Sequence, residues 1–94
     1  MGKIDCFTLS GLECVFYSND HLPHHFHVIK ESKWEVRVMF MLTKETGYLK
    51  YEVVWKKDKR GPSSSELTLV CDMVLQHKQS LLKEWDQKVR GEGT

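Results

Sequence analysis

Trp34-Glu35-Val36-Arg37-Val38-Met39-Phe40-Met41-Leu42 is the stretch from which the fold can be read. Its apolar residues Trp34, Val36, Val38, Phe40 and Leu42 fall at every second position, the period of a strand with one buried face. Lys44-Glu45-Thr46-Gly47 follows as a four-residue hairpin loop, with Gly47 free to adopt a positive φ. The returning strand then pairs Leu49 with Leu42, Tyr51 with Phe40, Val53 with Val38 and Trp55 with Val36. The opposite face carries Arg37, Met39, Met41, Lys50, Glu52, Val54 and Lys56, and Glu35 stands opposite Lys56 as a cross-strand charge pair.

Moving toward the N-terminus, residues 25–29 form the neighbouring strand, with Phe26 and Val28 on the buried face and His25, His27 and Ile29 on the other. A connection through Lys30-Glu31-Ser32 sets Val28 against Trp34 and Phe26 against Val36. A two-residue turn would oppose Phe26 with Arg37, so the hydrophobic pattern selects the longer loop. Residues 4–9 and 12–18 form a first hairpin over Ser10-Gly11, with Leu9 facing Leu12, Phe7 facing Cys14 and Asp5 facing Phe16. Asn19-Asp20 ends that strand, and Pro23 holds Leu22 extended.

On the C-terminal side, Lys56-Lys57-Asp58-Lys59-Arg60-Gly61-Pro62 is a basic connector that neither strand nor helix can continue through. Ser63-Ser64-Ser65-Glu66 has the form of a capping box, and a helix runs from it to about residue 89. Leu67, Val70, Cys71, Val74, Leu81, Leu82, Trp85 and Val89 make one apolar stripe that must lie on the sheet. Lys78 falls inside the stripe and snorkels, and His77 lies on its flank. The predicted fold is α+β: an antiparallel meander of about five strands with one long C-terminal helix packed on one face. Residues 1–90 make a single domain and residues 91–94 a disordered tail.

The whole chain has 94 residues, 40% hydrophobic and 29% charged, with a formal charge of +1. This balance gives no broad electrostatic footprint for nucleic acid, leaving only the Lys56-to-Arg60 connector as a local phosphate contact. No apolar run approaches the roughly 18 residues of a membrane span. The first residues lack the apolar core of a signal peptide, and three cysteines fit no paired metal pattern, so a cytoplasmic protein with reduced thiols is expected.

Four of the five histidines, His21, His24, His25 and His27, lie within seven residues. On a strand His25 and His27 project the same way, so two neutral imidazoles can hold one divalent transition metal such as zinc. Asp20 and His21 in the preceding loop supply further ligands, with His24 beside them. The more ordinary alternative is that these imidazoles are structural or face solvent. No Gly-x-Ser-x-Gly elbow, glycine-rich phosphate loop or dinucleotide fingerprint is present, and no catalytic residue is assigned. The face away from the helix gathers Val15, Tyr17, Ile29, Met39, Met41 and Val54, more apolar surface than a monomer leaves in one patch. A second copy or a partner protein is expected there.

Two blocks carry a family resemblance. Phe16-Tyr17-Ser18-Asn19-Asp20-His21-Leu22-Pro23-His24-His25-Phe26-His27-Val28 resembles the Asn-Asp-His-x-Pro-Pro-His-Phe-His-Val signature of the bacterial domain-of-unknown-function family DUF4160. His77-Lys78-Gln79-Ser80-Leu81-Leu82-Lys83-Glu84-Trp85 resembles its closing helix. His24 replaces the second proline, and the middle of the chain, from about residue 35 to 62, is longer and richer in strands. The resemblance directs attention to Asn19, Asp20, His21, Pro23, His25, His27, His77 and Trp85. It implies a small cytoplasmic protein with toxin–antitoxin-type pairing and supplies no reaction. Two functions follow as expectations: a non-enzymatic interaction module using the open sheet face, or a metal-dependent hydrolase of esters or phosphodiesters built on His25 and His27.

Overall fold

A computed structural model describes residues 2–17, 24–42 and 49–90. Strands β1 (Gly2–Lys3), β2 (Glu13–Phe16), β3 (Phe26–Lys30), β4 (Trp34–Val38) and β5 (Tyr51–Lys56) form one antiparallel sheet in chain order. Helix α1 (Ser64–Trp85) follows and runs on as a π-helical stretch, Asp86–Arg90. The α+β meander with a long C-terminal helix is therefore the observed architecture. Among the described residues, no helix is long and apolar enough to cross a membrane. The expected loop at 44–47 and the tail at 91–94 lie outside the described residues.

The core forms where alternation predicts it. Phe26, Val28, Trp34, Val36 and Val38 pack with Phe16 and Phe40 against Val70, Val74, Leu81, Trp85 and Val89 of the helical segment. Ser63 closes the capping box: its hydroxyl accepts from the Glu66 amide at 3.1 Å and its own amide donates to the Glu66 carboxylate at 2.9 Å. At His77 the backbone leaves helical values (φ −120, ψ 19), and the ring stacks on Phe7 at 5.5 Å.

Three registers differ from expectation, each for a local reason. β3 and β4 pair Val28 with Val36 and Phe26 with Val38, two residues from the expected alignment. The turn is Glu31-Ser32-Lys33, with Ser32 left-handed at φ 63 and the Lys33 amide donating to the Lys30 carbonyl at 2.9 Å. A shift of two residues leaves every side chain on its own face, so the hydrophobic pattern cannot distinguish the two alignments.

β4 ends at Val38 because Phe40–Leu42 closes into a 3-10 turn, the Leu42 amide donating to the Met39 carbonyl at 3.1 Å. Val38 therefore meets Tyr51 and Val36 meets Val53, in place of the expected pairs of Phe40 with Tyr51 and Val38 with Val53. A bulge then leaves Val54 without a partner on β4 and sets Trp55 opposite Glu35. One extra residue inverts the faces that follow it. Trp55, expected on the buried face against Val36, is turned to the outer face, and Lys56 meets Trp34 instead of Glu35.

The first hairpin keeps the Leu9–Leu12 contact but not the strand expected over residues 4–9. Gly2 meets Phe16, where Asp5 was expected. The segment between departs from β2 because the Asp5 and Cys6 amides donate to the buried carboxylate of Glu84, at 2.8 and 2.9 Å.

Candidate functional site

On the sheet face away from α1, the side chain that organises its neighbours is Glu35. In the β3–β4 ladder it pairs with Ile29, which sets it diagonally from His27 on the same face. Its Oε2 lies 3.0 Å from His27 Nδ1 and accepts from the Tyr17 hydroxyl at 3.4 Å. Its Oε1 accepts from Trp55 Nε1 at 3.2 Å. That last bond exists because the bulge carries Trp55 to this face. A carboxylate that serves three donors holds all three in place.

His27 is buried between this carboxylate and the Tyr17 ring, whose centroid is 4.2 Å away. Its Nε2 is also shut off from solvent. His25, buried too, stands 5.4 Å from the His27 ring and 5.7 Å from Trp85, at the end of the sheet where the helix closes over it. His24 packs on Trp85 at 5.1 Å and on Phe40 at 6.0 Å. The histidine block therefore divides: His24 and His25 frame Trp85, and His27 joins Glu35. Asn19, Asp20, His21 and Pro23 lie outside the described residues. Among the described residues, no group of three or more His, Cys, Asp or Glu side chains is placed to hold a metal ion.

The thiols are poor nucleophiles. Burial, reinforced by Glu84, pushes Cys6 up to about 12, and burial pushes Cys14 up to about 12 and raises Cys71. A cleft of about 720 Å³ opens where the first hairpin splays, walled by Ile4, Phe7, Leu12 and Ile29 with Lys3 and Glu13 among its polar lining. Its lining includes Ile29, the ladder partner of Glu35, but not Glu35, His27, Tyr17 or Trp55.

The apolar surface is displaced from where alternation puts it. Val15 (2% exposed) and Met39 (3%) are buried, Tyr17 and Ile29 are half-buried, and Met41 and Val54 are exposed. The large apolar side chains that this part of the chain presents to solvent are instead Met41 and Leu42 of the 3-10 turn and Val53 (43%), Val54 (46%) and Trp55 (41%) of β5. Among the described residues β5 is also the last strand of the sheet, paired only with β4. The alternating pattern sets Glu35 against Lys56 as a charge pair and Trp55 against Val36 in the core. His27 reaches Glu35 through the pairing of β3 with β4, and Trp55 reaches it through the bulge, which no residue in the alternating pattern announces.

The sequence model described as Domain of unknown function (DUF4160) matches residues 11–86, most of the chain. No curated protein and no solved structure matches the chain. The matched span runs from the first hairpin through the histidine block and the sheet to the end of α1, and the chain belongs to the DUF4160 family.

Proposed function

We propose that this protein is a non-enzymatic interaction module that receives another protein chain along β5, in the manner of one half of a toxin–antitoxin-like pair. One observation carries the reading: an edge strand leaves Val53, Val54 and Trp55 in solvent while the indole of Trp55 is fixed by Glu35. A tryptophan held in its bound orientation loses little rotamer entropy on contact, and tryptophans are prominent among interface hot spots. On this reading His27 and Tyr17 support the interface from behind by positioning Glu35.

The test is light scattering and co-purification of the full chain beside Val54→Asp. The native chain is expected as a defined dimer or a stoichiometric complex, and the variant as a folded monomer. Identical behaviour of the two proteins would defeat the reading.

A metal-dependent hydrolase is the second reading, favoured by the His27–Glu35 contact, since carboxylates commonly orient metal-binding imidazoles. It predicts near-stoichiometric zinc or a similar ion in purified protein, lost when His25 and His27 are both changed to Ala. Elemental analysis of the two proteins decides it.

A further inference from the structure

We infer that the chain received by β5 is an extended acidic strand, added edge-to-edge to the sheet. This partner class rests on the interaction reading above and is carried by two further observations, backbone direction and charge.

The Met39 amide donates to the Lys50 carbonyl at 2.9 Å and the Lys57 amide to the Lys33 carbonyl at 2.8 Å. These bonds fix which backbone groups face β4. In an antiparallel ladder alternate residues turn their N–H and C=O the same way. Lys50 and Glu52 therefore address β4, as do Trp55 and Lys57 beyond the bulge. Tyr51, Val53 and Lys56 turn their backbone groups outward, where an added strand would bond to them.

Charge selects the strand. Lys56, Lys57, Lys59 and Arg60 are all exposed at the end of β5, and among the described residues none has a carboxylate partner. The one acid among them, Asp58, accepts the Arg60 amide at 2.8 Å. Elsewhere Lys30 pairs with Glu66, Arg37 with Glu52, and Lys88 with Asp5 and Glu84, whereas here four cations stand together within five residues. Lysines at a sheet edge oppose indiscriminate pairing, and the same lysines favour an acidic partner.

A second copy fits less well. It presents the same segment, in which the four cations Lys56, Lys57, Lys59 and Arg60 outnumber the two acids, Glu52 and Asp58. A polynucleotide would meet the charge but leave Val53 and Val54 without apolar contact.

The test titrates the full chain with three labelled probes, followed by fluorescence anisotropy. They are an extended peptide alternating Val and Glu, its analogue with Lys for Glu, and single-stranded oligouridylate. The acidic peptide is expected to bind at least about tenfold more tightly than the other two, more weakly as salt rises. It should slow hydrogen exchange at the Tyr51, Val53 and Lys56 amides. Lys57→Glu with Arg60→Glu should reverse the preference between the two peptides while leaving the circular dichroism unchanged.

Equal binding of the two peptides, tighter binding of the oligonucleotide, or protection confined to other amides would overturn the inference. If no peptide binds yet Val54→Asp still dissolves a native complex, the acidic strand is wrong and the interaction module survives. If Val54→Asp changes nothing either, both fall.

Discussion

The two edges of the sheet are built in opposite ways. At the β1 edge the helical segment reaches over and takes up the backbone. Lys88 donates to the Lys3 carbonyl at 2.6 Å, to Asp5 at 2.7 Å and to Glu84 at 3.0 Å, and Glu84 accepts the Asp5 and Cys6 amides. At the β5 edge every residue from Glu52 to Arg60 is exposed, and the basic side chains from Lys56 onward have no carboxylate partner among the described residues. Edge strands are a hazard that proteins usually cover. One edge tied down by a charged network around the buried Glu84 and the other left apolar and basic is an arrangement that makes sense if the second is covered by something else.

Breaking the β1 edge should have the largest effect on stability. Glu84→Ala strands two backbone amides and Lys88, and should cost about 3 kcal/mol in urea unfolding. Glu84→Gln, which can still accept hydrogen bonds, should recover part of that. A loss of under about 1 kcal/mol for the alanine variant would mean that this edge is not held as described.

The same carboxylate sets a pH dependence. Burial acts to raise the pKa of Glu84, but bonds from the Asp5 amide, the Cys6 thiol and amide, and Lys88 hold it below its ordinary value. A group whose pKa is lower in the folded state adds stability above its unfolded pKa of about 4.3. That stability is lost as pH falls through the folded value. Thermal melts should fall more steeply below about pH 4.3 for the native chain than for Glu84→Gln. Parallel curves would contradict the assignment.

At the β5 edge the expected pattern is reversed, with large effects on association and small ones on stability. Trp55→Ala should weaken partner binding by about 2 kcal/mol or more. Val54→Asp should shift folding stability by no more than about 0.5 kcal/mol. Calorimetry against the bound chain and urea unfolding of the free one measure the two. A variant that unfolds as readily as Glu84→Ala would erase the contrast between the edges. The smallest effect should come from the half-exposed Lys30–Glu66 pair at 2.7 Å, where Lys30→Ala should cost about 0.5 kcal/mol at most.

Parity was legible in the chain, and position was not. Alternation at Trp34, Val36 and Val38 correctly assigns the face of each residue, and Ser63 with Glu66 marks the start of α1. The registers slid by two because such a shift changes no face, and the bulge at Val54 is a backbone event with no signature in Val-Val-Trp. Glu84 reads as a helical position beside Trp85. Only the distant Asp5 and Cys6 amides explain why a carboxylate is buried there. His25 and His27 stood out by composition, but Glu35, which gives His27 its partner, is reached only through the pairing of β3 with β4.

Native-state hydrogen exchange of the dilute free protein tests the contrast between the edges most directly. The Asp5 and Cys6 amides, bonded to Glu84, should exchange only with global unfolding, and the outward amides of Tyr51, Val53 and Lys56 should exchange orders of magnitude faster. Comparable protection at the two edges would contradict the account, because β5 would then already be covered.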